Sequence, residues 1–297
     1  MQNYKSKIVG KLSQLNIRYK SRLMRLLRPL SSHVIHIDGG IGSQIMQYSL
    51  YLWLKDNGKK VQLDTSYFEN QSSRSEINWV KTRPWRLDYF GYHRDDQIEK
   101  KGLRLLDRDF MHLYSGHYSR IVSAKDFLQR NFPANTNNFI KSVKDSGLSL
   151  KDVNDSIVIH VRQGDFITAA SLLLSESYYL DSLSRARKEC GGVANLVLIV
   201  SDEQIDRKRF PKLAALIDAD TERYRVLIGG DEIFTHNLMR YCRVLICSNS
   251  TFSFSAAMLK TSGLAIYPEK FYEGETAELN SIFKLKAGIG IPISRVE

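Results

Sequence analysis

At 297 residues the chain is long enough for two domains of ordinary size, each with its own core. Its 43% hydrophobic and 10% aromatic content excludes a disordered chain, and no apolar run reaches the roughly 18 residues that a transmembrane helix needs. The net charge of +11 sits mostly in residues 1–32, which carry eight Lys or Arg and no acidic residue; the +3 left for the rest argues against a nucleic-acid-binding domain, whose basic face would belong to the fold.

Within that arm Ile8, Leu12, Leu15, Tyr19, Leu23, Leu26 and Leu30 recur at intervals of three and four, flanked by the cations. This is the apolar stripe of an amphipathic helix, and it has no continuous apolar core of the kind a secretory signal needs. Residues 1–30 suit an anionic membrane surface, where each Lys or Arg contributes about 1 kcal/mol. Packing of the helix on its own domain and contact with nucleic acid are the other readings. Pro29, Ser31 and Ser32 then end the helix and open a linker.

Residues 34–37 read as a strand that runs through Asp38-Gly39-Gly40-Ile41-Gly42-Ser43 into a helical pattern over 44–56, and 61–64 reads as a second strand. This is a βαβ unit with a glycine-rich first turn. Gly39, Gly40 and Gly42 do not fit G-x-G-x-x-G, and no Lys-Ser/Thr pair follows as in a P-loop. The turn instead suits a ligand held against backbone amides at a helix start. Residues 66–135 are polar and aromatic, with Trp79, Trp85, Tyr89, Phe90 and Tyr92, and predict a loop-rich part of the first domain. Those aromatics either fill a core or stack on carbohydrate.

Beyond residue 154, strands at 157–161, 196–200, 224–228, 244–247 and 264–267 alternate with helices around 178–190, 210–217, 233–241 and up to about 260. Repeated βα units imply a doubly wound, largely parallel sheet, with chemistry at the carboxyl ends of its strands. The first of these strands ends in His160-Val161-Arg162-Gln163-Gly164-Asp165, which delivers an imidazole, a guanidinium and a carboxylate to that edge. Arg162 can fork onto a phosphate, and Gly164 lets the backbone turn close to a ligand. The next strand end carries Ser201 and Asp202. A third follows 244–247: Ser248-Asn249-Ser250-Thr251-Phe252-Ser253 places four hydroxyls and an amide at a helix start, more than one cap requires. Cys190, Cys242 and Cys247 lack metal-ligand spacing and suggest free thiols in a reducing, cytoplasmic compartment.

Three of these stretches together resemble the bacterial α-1,2-fucosyltransferases of glycosyltransferase family 11. The family's glycine motif looks like Gly39-Gly40-Ile41-Gly42-Ser43-Gln44-Ile45-Met46-Gln47-Tyr48, with Ser43 where Asn is usual. Its His-x-Arg-x-Gly-Asp motif is matched by His160, Arg162, Gly164 and Asp165, and its Ser-Asn-Ser-Thr-Phe-Ser motif by Ser248 to Ser253. The resemblance implies a GT-B fold of two facing Rossmann-like domains: an arm at 1–32, an acceptor-side domain at 33–150 and a nucleotide-sugar domain at 151–297. It implies inverting, metal-independent transfer of fucose from GDP-fucose, with no other cofactor, to O2 of a galactoside in an O-antigen or capsule precursor. The acceptor would be lipid-linked and the enzyme would sit at the inner face of the cell membrane.

In that reading Arg162 neutralises the departing diphosphate and His160 orients a phosphate or sugar hydroxyl. Ser248, Asn249, Ser250, Thr251, Phe252 and Ser253 hold the diphosphate from the other side, and Ser201 and Asp202 contact ribose or guanine. Gly39, Gly40, Gly42, Gln44 and Gln47 form the acceptor-side loop, and Asp165 is either the base or a turn residue. Two other readings stand beside it. One is a same-fold transferase with another donor or linkage, including metal-dependent chemistry at Asp107-Arg108-Asp109 or Asp218-Ala219-Asp220. The other is a non-catalytic nucleotide-sugar-binding module.

Overall fold

The computed structural model describes residues 33–68, 83–94, 114–164, 173–191, 196–271, 284–285 and 288–291. The basic arm, Trp79 and the Asp107–Asp109 pair therefore lie outside the described residues. The first unit is β1 (His33–His36), α1 (Ile41–Asp56) and β2 (Val61–Asp64), with β1 and β2 parallel and His36 in register with Asp64. Short 3-10 turns at Ser66–Phe68 and Leu87–Phe90 follow, then four helices: α2 (Ser115–Ser123), α3 (Lys125–Asn131), α4 (Thr136–Asp145) and α5 (Leu150–Asp155). The second unit runs β3 (Ile157–Val161), α6 (Glu176–Glu189), β4 (Val197–Ser201), α7 (Pro211–Ala219), β5 (Tyr224–Ile228), α8 (Glu232–Tyr241), β6 (Val244–Ile246), α9 (Thr251–Leu259), β7 (Leu264–Pro268) and β8 (Gly288–Ile291).

The second unit is one six-stranded sheet, all parallel, in the order β5-β4-β3-β6-β7-β8. Its first strand lies inside the sheet and the order reverses there, between β3 and β6, as in a doubly wound nucleotide-binding sheet. Every residue of β3 and β4 is buried, because helices cover both faces of a parallel sheet and both need apolar side chains. Alternate residues feed two cores. Ile157, Ile159, Val161, Val197, Ile199 and Ile246 pack against α6 and α7, whereas Val158, Leu198 and Leu245 join α8, α9 and the first unit in a continuous core with Ile35, Ile45 and Phe132.

Two departures from the sequence expectation have physical reasons, and one open reading is resolved. The stretch to 135 holds helices α2 and α3 where loops were expected, and α4 and α5 follow. Each is short and polar, and buries only a few apolar residues, such as Phe139 and Val143 of α4. The core reading of the aromatics applies to those described: Phe90 packs edge-on against Phe132, and Trp85 against Phe68 and Tyr48. The sheet gains β8, a strand whose sequence Gly-Ile-Gly-Ile has little strand propensity. A side chain at Gly288 would come within 2.6 Å of the Tyr267 ring, so glycine is what lets this strand close on β7.

Helix α9 is the joint between the units. Its residues from Ser253 to Leu259 are all buried, packed on α1 and α8. Its C-terminal carbonyls are taken by cations: Lys125 Nζ donates to Met258 O at 2.8 Å, and Arg240 Nε to Leu259 O at 3.3 Å. Burial, and then the neighbouring Lys260, push the Lys125 amine below its ordinary range. All three cysteines are buried free thiols.

Candidate functional site

The site forms where β3 and β6 end side by side. His160 Nδ1 lies 2.9 Å from Ser248 Oγ, joining the two strand ends across the point where the sheet order reverses. Arg162 follows, with NH1 3.0 Å from Asp202 Oδ2. The Arg162 side chain is 16% exposed and that of Asp202 23%, so the pair lines an edge that solvent reaches. Gly164 packs so closely on the Asp202 carboxylate that an added Cβ would come within 2.1 Å of it. Gly164 is therefore a glycine for close approach. Asp165 lies outside the described residues.

Gln163, to which the sequence motifs assign no role, organises this edge. Buried at 2% exposure, it donates through Nε2 to Ser201 Oγ at 3.0 Å and Gln204 O at 3.1 Å. Its Oε1 accepts from Asp206 N, and its own N–H donates to Asp202 Oδ1. Ser201 and Asp202 are thus parts of the frame that aims Arg162: the Ser201 hydroxyl is buried within it and Asp202 supports the guanidinium. A long polar residue two places past a buried strand was the available signal.

The hydroxyl-rich run divides into scaffold and rim. Ser250 caps α9 by accepting from Phe252 N, and Ser253 Oγ turns back to the carbonyls of Ser248 and Ser250. Ser248, Asn249 and Ser253 are buried, whereas Thr251 and Phe252 are half-buried. Phe252 lies between two histidine rings, His160 at 5.5 Å and His236 at 5.6 Å between centroids, and His236 Nε2 is 3.0 Å from Ser255 Oγ.

Burial, and then the Arg162 guanidinium, push His160 down to about 3; burial, and then Arg240, do the same to His236. Both rings are neutral at ordinary pH. Because both values fall below the ordinary 6.5, the unfolded chain binds more protons than the folded one between about pH 3 and 6.5. Stability is full above that window and falls as pH drops through it. Each histidine is expected to cost about 2 kcal/mol between pH 7 and 5. Urea midpoints across that range check this: the His236→Gln curve should be shallower than wild type, and parallel curves would refute a buried neutral His236.

The glycine loop faces the same edge. Gly39 has φ +71°, the left-handed region that favours glycine. A Cβ at Gly42 would come within 2.5 Å of Thr251 C, Thr251 O and Phe252 N, so the start of α1 rests directly on the start of α9. Ser43 Oγ lies 3.1 Å from Thr251 Oγ1 and completes the contact. The carboxyl edges of β1 and β6 therefore face each other across their helix starts, in the manner expected of two facing Rossmann-like units. Gln44 and Gln47 do not reach out as expected of acceptor contacts. Gln44 joins Gly39 O and Pro84 O to Arg86 N, and Gln47 clamps Asp38 through its backbone and carboxylate. Both amides hold the loop.

The Asp218–Asp220 pair stands apart from this edge. Asp218 forms a two-pronged ion pair with Arg207 at 2.6 and 2.9 Å, and Asp220 accepts from Arg223 N.

Two helix starts and a guanidinium stand at the switch point of a parallel sheet, the place where α/β proteins of this architecture hold their ligands. A family model described as glycosyl transferase family 11 matches residues 66–287, and the chain belongs to that family. It is a glycosyltransferase, and membership implies a sugar-nucleotide donor and a glycan acceptor. No curated protein matches the chain. Among solved structures it is similar to E. coli ADP-heptose lps heptosyltransferase II, at 12% identity and a TM-score of 0.45, over 88% of this chain and 90% of that one. Among the described residues no helix is long and apolar enough to cross a membrane.

Proposed function

We propose that the chain transfers fucose from GDP-fucose, with inversion and without a metal, to O2 of a galactoside in a cell-surface oligosaccharide precursor such as an O-antigen or capsule repeat. The observation that carries this reading is that His160, two residues before Arg162, meets Ser248 and Phe252 at the start of α9, which in turn rests on the start of α1. The difficult part of the reaction is departure of a diphosphate while positive charge builds on the sugar. Arg162 meets the charge growing on the β-phosphate, and the positive end of the α9 dipole favours the same group. His160, neutral and bonded to Ser248, holds the two strand ends in register for that contact.

The assay is GDP-fucose against a panel of galactosides in EDTA, with the product linkage read by NMR. An α-1,2-fucosylated product is expected. Turnover of a different sugar nucleotide alone would replace the donor, and loss in EDTA restored by Mn²⁺ would remove metal independence. GDP binding with no turnover would favour the binding module. The basic arm would hold the enzyme at the inner face of the cell membrane, beside a lipid-linked acceptor. Deleting residues 1–30 is expected to abolish sedimentation with anionic vesicles, and unchanged partition would remove that role.

A further inference from the structure

A second cluster of titratable groups stands at the carboxyl edge of β1 and β2. His36 and Asp64 are the last residues of the paired strands, and His36 Nδ1 lies 3.2 Å from Asp64 Oδ2. On the other side of the ring, Nε2 lies 3.5 Å from Asp38 Oδ2. Asp64 is 4% exposed; burial would raise its carboxyl, but bonds from Ser66 and the charge of His36 hold it below the usual carboxylate value. Asp38 is the outermost of the three at 23% exposed. Gln47 fixes it at both ends, donating to Oδ1 at 2.7 Å and accepting from its N–H at 2.9 Å. It directly precedes Gly39, in the loop that places Gly42 and Ser43 against Thr251 and Phe252. Among the described residues, the charged groups set against His36 are these two carboxylates, and α1 contributes the neutral Gln47 amide through Asp38. Among the described residues no three His, Cys, Asp or Glu are arranged to hold a metal ion.

We infer that Asp38, backed by His36 and Asp64, takes the proton from the acceptor hydroxyl, an inference that rests on the transfer reading above. As the acceptor oxygen bonds to the anomeric carbon, the bond from that carbon to the diphosphate oxygen breaks and its electron pair leaves on GDP. The hydroxyl proton passes to Asp38 Oδ2. The adjacent imidazole, 3.5 Å from that oxygen and 3.2 Å from Asp64, is placed to take the proton up as those contacts close, as a base is supported by a third group in a triad.

The test measures GDP released from GDP-fucose with lactose present, a readout that includes both transfer and hydrolysis. Asp38→Asn keeps an oxygen for Gln47 and is expected to release GDP at least a hundredfold more slowly. GDP affinity by calorimetry should stay within twofold of wild type, and the acid limb of the pH–rate profile should disappear. His36→Gln is expected to keep GDP affinity and lower the rate at least tenfold. An Asp38→Asn enzyme within threefold of an active wild type, with the same pH profile, overturns the relay alone. A wild type that releases no GDP overturns the transfer reading and the relay with it.

Discussion

Replacing Arg162 by Ala is expected to lower kcat/KM at least a hundredfold while leaving the chain folded. The side chain leaves the sheet just beyond β3, whose five residues are all buried without it. Its ion pair with Asp202 is partly exposed on both sides and contributes about 1 kcal/mol or less to folding. A change in Tm of only a few degrees should follow. Catalysis suffers more than folding does. A hundredfold loss is about 2.7 kcal/mol of transition-state stabilisation, within what one well-aimed cation provides against a developing phosphate charge.

Arg162→Lys keeps the charge but loses the planar fork, and should fall between wild type and Ala. Asp202 separates aiming from binding. If it acts by holding the guanidinium, Asp202→Asn loses about tenfold on its own and nothing further on top of Arg162→Ala, a non-additivity read directly from a double-mutant cycle. An Arg162→Ala enzyme near the wild-type rate would remove the phosphate role.

The strands of the larger sheet were legible because β3 and β4 are apolar on both faces, a run that a half-buried strand cannot show. Their order was not, since nothing in residues 157–161 and 244–246 names them as neighbours. The site was legible as points along the chain: a guanidinium after one strand, hydroxyls after another, glycines after a third. How those points are used depends on contacts across long stretches of sequence. Ser43 and Thr251 are 208 residues apart, and only their meeting shows why Gly42 has no side chain.

The same distance in sequence explains why several polar residues turn inward rather than toward a ligand. A strand that passes straight into a helix leaves backbone groups to be satisfied, so Ser253 bonds back to two carbonyls and Gln44 holds two carbonyls and an amide. His36 shows the reverse. One histidine in an apolar strand looks like ordinary alternation until Asp64 arrives from the paired strand and Asp38 from the turn.

Gly42→Ala is expected to lower stability by about 1–3 kcal/mol and activity about a hundredfold. The added carbon would stand 2.5 Å from three backbone atoms of Thr251 and Phe252, so no rotamer change relieves it. Relief must come from moving α1 off α9 by about 1 Å, and α9 has nowhere to go, being buried against α1 and α8. That shift displaces the start of α9 from Arg162 at the edge where the diphosphate would lie. Urea midpoints and kcat/KM measured together check both halves of the expectation. Gly116→Ala is the control: it lies in α2 with nothing within 4 Å of its added carbon, and should be neutral or stabilising by up to about 1 kcal/mol. Ser43→Ala removes the hydroxyl contact to Thr251 without adding bulk, and should cost a few-fold in rate. If Gly42→Ala matched wild type in both measurements, the two helix starts would not touch, and the diphosphate edge would lose the side supplied by the first unit. Damage from Gly42→Ala with little from Ser43→Ala would show instead that close backbone approach, rather than the hydroxyl pair, joins the two units at the site.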